Sequence, residues 1–167
     1  MASNNARKSI AETRLVRLIV NGKPYEFLVK PNMTLRDLLR NVLGLTSIKD
    51  MCHGVGACGS CGVILDGRPV LSCLILAVDC YGKTVETAEG IASSNHPIFE
   101  AYTKYHTMQC GYCTPGFIVT AKALLDRNPN PTEENIREAL GGNICRCGTY
   151  PEHIKAVKYA AKKLSSP

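Results

Sequence analysis

Eight of the nine cysteines in this 167-residue chain fall into two sets of four. The first set is Cys52, Cys58 and Cys61, within Cys-His-Gly-Val-Gly-Ala-Cys-Gly-Ser-Cys, with Cys73 twelve residues further on. The second is Cys110 and Cys113 in Gln-Cys-Gly-Tyr-Cys, followed by Cys145 and Cys147 in Cys-Arg-Cys. Four thiolates hold a [2Fe–2S] cluster, and one ligand spacing for such clusters is C-x4-C-x2-C with a distant fourth cysteine. The first set has that form with one extra residue in its first gap. Gly54, Gly56, Gly59 and Gly62 run through it. Glycines tolerate positive φ and let backbone N–H groups approach the sulfurs, and hydrogen bonds to those sulfurs tune a cluster's potential. Two such sites on one chain point to one-electron transfer.

Two other uses of eight cysteines compete. Disulfides belong to exported chains, and residues 1–13 lack the apolar core and the twin arginine of an export signal. The chain is therefore read as cytoplasmic, where clustered thiols are more often metal ligands than staples. Zinc is the stronger rival, because a four-cysteine zinc site also pairs C-x2-C with a second close pair. The second set taken alone leaves zinc open. Three cysteines within ten residues, threaded with glycine, suit instead a loop folded tightly around a cluster. Cys80 is left over and reads as a small buried hydrophobe. His53 lies inside the first loop, but a Rieske site pairs histidines with cysteines, and four cysteines are already available. His96, His106 and His153 are scattered singly and read as surface or capping residues. With no Ser–His–Asp constellation, phosphate loop or GxGxxG, the chain has no substrate site and no catalytic residue of its own.

Holding these sulfurs requires a scaffold that the pattern partly reveals. Residues 14–20 and 23–29 are β-rich and flank Asn21-Gly22, a two-residue hairpin signal. Thr34 reads as an N-cap with Asp37 three residues on, and Leu35, Leu38, Leu39 and Val42 form a helical stripe ending at Gly44. Two short strands surround Asp66-Gly67, and residues 83–86 form a last one. Strand–strand–helix–loop–strand is the order of a β-grasp ferredoxin, with the cluster loop between helix and third strand. Beyond residue 88 the apolar period lengthens to three or four. Four helices follow, one around Ile98 and Tyr102 and one around Phe117 to Leu125. The third is capped by Thr132 and stopped at Gly141-Gly142, and the fourth opens on a Thr149-x-x-Glu152 capping box with Ile154, Val157, Ala161 and Leu164 on one face. The fold class is thus α+β: a plant-type ferredoxin-like domain (14–88), then a four-helix bundle (89–167), behind an N-terminal extension (1–13). The boundary falls at residues 86–95, rich in Ser, Ala and Gly. The helical half, enclosing a cluster, is expected to need a partner to complete its core.

Net charge is +6, part of it in the flanks at Arg7, Lys8, Arg14, Lys155, Lys158, Lys162 and Lys163. The last four read as a solvated helix face. Without tryptophan or a basic patch interleaved with aromatics, no nucleic-acid partner is expected. No apolar run approaches a transmembrane span.

Gln109-Cys-Gly-Tyr-Cys-Thr-Pro-Gly116, Pro131-Thr-Glu-Glu-Asn-Ile-Arg-Glu-Ala-Leu140 and Gly142-Asn-Ile-Cys-Arg-Cys147 together resemble the small iron–sulfur subunit of the molybdenum hydroxylases, the xanthine oxidase family. The likeness spans about residues 13–163. Two departures stand out: five residues rather than four separate Cys52 from Cys58, and Cys-Arg-Cys-Gly-Thr-Tyr replaces the commoner Cys-Arg-Cys-Thr-Gly-Tyr. The resemblance implies two [2Fe–2S] clusters, one on Cys52, Cys58, Cys61 and Cys73 and one on Cys110, Cys113, Cys145 and Cys147. It implies a large partner subunit carrying molybdopterin–molybdenum, and in some relatives a medium subunit carrying FAD. Gln109 and the sulfur of Cys147 would contact the pterin edge. Electrons would pass from molybdenum to the C-terminal cluster, then to the ferredoxin-like one, then to FAD or another acceptor such as a cytochrome. A free-standing two-cluster ferredoxin and a zinc-stabilised interaction module are the alternatives.

Overall fold

The structure is a computed structural model that describes residues 13–165. Apart from Thr13, the extension read over residues 1–13 lies outside the described residues, Arg7 and Lys8 included.

Strands β1 (Arg14–Val20) and β2 (Lys23–Val29) pair antiparallel with Val20 opposite Lys23. Asn21 (φ 50) and Gly22 (φ 77) make the turn, and two successive left-handed residues match the strands' own twist. Asp66 (φ 47) and Gly67 (φ 77) repeat this device between β3 (Gly62–Leu65) and β4 (Arg68–Leu71). Strand β5 (Thr84–Glu86) inserts between the hairpins, parallel to β1 and antiparallel to β3, giving a mixed sheet of order β2-β1-β5-β3-β4. Alternation along β1 buries Val16, Leu18 and Val20.

Helix α1 (Leu35–Asp37) lies on that buried face. The Thr34 hydroxyl accepts the Asp37 N–H at 3.1 Å and donates to the Asp37 carboxylate at 2.8 Å, the cap expected. From Leu38 to Val42 the helix widens to a π-turn, the Leu43 N–H reaching back to the Leu38 carbonyl. Leu35, Leu38 and Leu39 are buried, but the wider turn swings Val42 off the expected stripe, leaving it 55% exposed. Gly44 (φ 77) ends the turn.

The segment read as the domain boundary, residues 86–95, contains a helix, α2 (Ala88–Ser93). It is held by side chains rather than left loose. The Thr87 N–H donates to Asn21 Oδ1 at 2.9 Å, and the Glu89 carboxylate accepts from the Ser47 N–H at 2.9 Å and the Thr87 hydroxyl at 2.6 Å. Helices α3 (Pro97–Lys104), α4 (Thr114–Arg127), α5 (Glu133–Leu140) and α6 (Tyr150–Ser165) are the four that the periodicity anticipates. His96 caps α3 through Nδ1, and Thr132 with Asn135 forms a capping box on α5. These helices share a core of their own around Ile98, Tyr102, Phe117, Ile136 and Val157, all buried. That core, expected to need partner contacts to complete it, is already extensive among the described residues. Leu164, placed on the apolar face of α6, is instead 44% exposed. Lys158 pairs with Glu133 and Lys163 with Glu100 on the solvent side. No helix among the described residues is long and apolar enough to cross a membrane.

Candidate metal centres

The first cysteine set sits in the loop from α1 to β3, with Cys73 in a 3₁₀ turn (Ser72–Leu74) beyond β4. Within the Cys52–Cys58 gap, His53 (φ 53) and Gly54 (φ 87) are both left-handed. The His53 side chain is 88% exposed and faces Asp50 at 3.8 Å, away from a ligand role. Past these two residues, backbone N–H groups of Gly56, Ala57 and Cys58 turn onto the Cys52 sulfur. Burial would raise the Cys52 pKa, yet these donors and the Cys58 side chain outweigh it and bring it down to about 7. Cys61 and Cys73 form a second close pair, Cys73 being pushed up to about 12 by burial and by Cys61. The same thiol feels the charges of Cys52 and of Arg36, whose guanidinium is held by Asp37 and by Asp50 at 2.8 Å. Ser72 fastens the 3₁₀ turn by donating its hydroxyl to the Cys61 carbonyl at 2.7 Å.

In the second set Cys113 immediately precedes α4, and Cys145 and Cys147 lie in the loop between α5 and α6. Docking of these helices brings Cys113 against Cys145. Burial and Cys145 push the Cys113 thiol up to about 12, whereas Cys145 falls to about 7 because donors from Thr149 and Cys147 overcome its burial. Such a pair holds one proton between two sulfurs, and a metal that displaces it gains both as thiolates. Cys110 is exposed but close enough to Cys113 to act on its charge, and Cys147 is half-buried. Gln109 is exposed beside Cys110.

The donor chemistry suits a two-iron cluster. Four thiolates on two irons place two on each, so sulfurs approach in pairs. A closed four-sulfur zinc site would draw all four into one tetrahedron with edges of about 3.8 Å, from Zn–S of about 2.3 Å. Among the described residues, the group of three ligand atoms that does gather within 4.8 Å is Cys113, Cys145 and His153, with no such trio in the first set. Cys80 is fully buried in the sheet's core and donates to the Leu76 carbonyl at 3.6 Å, with burial raising its pKa to about 11.

Several residues around the sulfurs escape a reading of the sequence. His153 is neither on the surface nor a cap: it is fully buried, stacked on Phe117 at 3.9 Å, beside Cys113 and Cys145. Thr149, expected to share a capping box with Glu152, turns its hydroxyl to the Cys145 sulfur and to His153 Nε2, each at 3.2 Å. The spacing 145, 149, 153 is the signal that could have linked them. Asn143 joins the two sites. Its Nδ2 donates to the Gly59 carbonyl at 3.3 Å, its Oδ1 accepts from Thr120 at 3.1 Å, and the next N–H, of Ile144, donates to the Cys58 carbonyl at 3.0 Å. Gly59 must be glycine: its φ is +74 and a Cβ there would stand 2.5 Å from Asn143 Nδ2.

Two family models match in tandem: a 2Fe-2S iron-sulfur cluster binding domain over residues 18–87 and a [2Fe-2S] binding domain over residues 87–158. The chain is 44% identical over 153 residues to the nicotinate dehydrogenase small FeS subunit of Eubacterium barkeri, covering 90% of this chain and 97% of that protein. Its fold is similar to a chain of quinoline 2-oxidoreductase from Pseudomonas putida 86, with TM-score 0.83, 40% identity, and 91% and 98% of the two chains covered. It is also similar to the aldehyde oxidoreductase of Desulfovibrio desulfuricans ATCC 27774, with TM-score 0.86 and 46% identity; 90% of this chain matches 17% of that longer one.

Proposed function

Because the chain belongs to the small iron–sulfur subunits of the molybdenum hydroxylase family, we propose that it carries electrons within such an oxidoreductase. On this reading they pass one at a time from the molybdopterin centre of a large subunit, through two [2Fe–2S] clusters, to an FAD subunit or another acceptor. Each cluster supplies a site that takes up and releases a single electron. The protein's part is to hold, shield and connect those sites.

Residues 14–88 serve as a β-grasp ferredoxin-like domain and residues 89–167 as a four-helix bundle, both working in the cytoplasm. Cys52 with Cys58, and Cys61 with Cys73, take one iron each in the first site. In the second, Cys113 with Cys145 takes the inner iron, leaving Cys110 and Cys147 for the outer one. Arg36 offsets part of the negative charge of the first set. Gln109, exposed here, is covered in the complex by the pterin, together with the outer face of Cys147.

One observation favours a subunit over a free-standing ferredoxin. Exposed apolar side chains accompany the ligand cysteines: Val55 (76%), Leu74 (59%), Met108 (46%), Tyr112 (41%) and Ile144 (43%). Large apolar groups left at a working site mark a docking surface. Metal analysis of the native complex tests the reading. Four irons per copy of this chain are expected, in an assembly that also holds molybdenum and a much larger chain. Zinc without iron, or a fully loaded monomer from native cells, overturns it.

A further inference from the structure

We propose that Thr149 and His153 form a hydrogen-bond relay that raises the reduction potential of the second cluster, an inference resting on the reading of Cys145 as one of its ligands. The geometry is a chain of two contacts, Cys145 Sγ to Thr149 Oγ1 at 3.2 Å and Thr149 Oγ1 to His153 Nε2 at 3.2 Å. Both Thr149 and His153 are buried, at 4% and 0% exposure.

Counting protons fixes the direction of each bond. A metal-bound thiolate can only accept, and a hydroxyl has one proton to donate. Thr149 therefore donates to the sulfur and must accept from the imidazole, which places the ring proton on Nε2. A neutral imidazole has a single N–H, so Nδ1 must then be a bare acceptor. Nδ1 has no hydrogen-bond partner among the described residues, so no acceptor there draws the ring proton away from Nε2. The ring has no freedom to turn away, since it stacks on Phe117 with an interplanar angle of 5° and packs against Tyr102 at 5.3 Å between centroids.

The consequence is electrostatic. Reduction places an extra electron on the cluster and increases the charge on its sulfurs, so every donor aimed at a ligand sulfur favours the reduced form. Cys145 already receives the backbone N–H groups of Thr149 and Cys147. The hydroxyl adds a third donor, and the imidazole behind it polarises that hydroxyl in a setting where water cannot compete. In the first set the comparable hydroxyl contact, between Ser60 and Cys58 at 3.1 Å, has no second donor behind it among the described residues. Thr149 and His153 are positioning residues in this account, acting through Cys145.

Redox titration of the native complex, followed by electron paramagnetic resonance, tests the relay with Thr149→Val, Thr149→Ser and His153→Leu. At a fixed potential Thr149→Val should move the reduced-to-oxidised ratio of the second cluster about tenfold toward oxidised, equal to about 59 mV for one electron. His153→Leu should shift it the same way by less, Thr149→Ser should match wild type, and the first cluster should not move. A merely structural role would change iron content and leave the potential of loaded protein unaltered. If Thr149→Val and His153→Leu carry full iron at wild-type potential, the relay is wrong. Should Thr149→Val lose its iron, His153→Leu decides by the same criterion. A wild-type complex lacking iron at the second set would instead end the ligand reading, and the relay with it.

Discussion

The backbone carbonyl of Cys58 accepts the N–H of Ile144 at 3.0 Å, so one hydrogen bond joins a cysteine of the first set to the residue preceding Cys145 of the second. Electronic coupling falls off more slowly along bonds and hydrogen bonds than across a van der Waals gap. This contact therefore offers a short covalent-plus-hydrogen-bonded route between the two sulfur sets. Asn143 keeps it in place by pairing with Gly59 and Thr120.

Gly59→Ala should disturb that route. The new Cβ would stand 2.5 Å from Asn143 Nδ2 and 2.7 Å from the Gly142 carbonyl, at a φ of +74. Backbone strain alone costs roughly 1–3 kcal/mol. We expect a lower thermal midpoint and slower transfer between the two clusters in rapid-kinetic reduction, with iron content retained. Wild-type stability and transfer rate would show that the close approach is not needed.

Iron content provides the second check. Four irons per chain should give two distinct S = 1/2 signals on full reduction, because the N–H-rich loop at Cys52 and the Thr149 hydroxyl at Cys145 surround their sulfurs differently. Cys80→Ala should leave iron unchanged, since that thiol is buried among apolar side chains and donates only to Leu76. Two irons and one signal would contradict both the count and the pairing.

What could be read in advance follows from the range of each interaction. The turns at Asn21-Gly22 and Asp66-Gly67 and the caps at Thr34 and Thr132 are set by neighbours three residues away or fewer, and each is found as expected. Helix α2 was hidden because six residues show no period and because its anchors, Asn21 and Ser47, lie more than forty residues away. Val42 left its stripe through a π-turn that no local signal announces. Thr149 had competing partners within four residues, and its hydroxyl takes Cys145 and His153 rather than the helix end. The cysteine sets stood out by residue type and spacing alone, whereas Asn143 gains meaning only once the helices have docked.

Acid should expose the tie between α2 and the segment leading into the first loop. Burial would raise the Glu89 carboxyl, but hydrogen bonds from Ser47 and Thr87 hold its pKa below the usual carboxylate range. A depressed folded-state pKa stabilises the protein at pH above the unfolded value, and the gain is lost as pH falls through the folded one. Glu89→Gln should therefore melt earlier than wild type at neutral pH, with the difference closing below about pH 4.5. A difference that stays constant from pH 7 down into that acid range would assign the effect to shape rather than charge.

Gln109→Ala and Cys147→Ser separate the pterin contact from the ligand set. Gln109 has no thiolate and sits exposed next to Cys110, so its loss should leave both clusters loaded. If its amide pairs with the cofactor edge in the complex, removing it orphans a buried partner at roughly 1–3 kcal/mol. Electrons would then reach the second cluster more slowly when substrate reduces the enzyme. On the proposed ligand set Cys147→Ser loses a thiolate from the second site, so it should lower iron content and alter the second cluster's signal while the first stays intact. Stopped-flow reduction by substrate, set beside iron and molybdenum analysis, tells the two apart. Gln109→Ala reducing at the wild-type rate with full cofactor content would return Gln109 to the role of an ordinary surface amide.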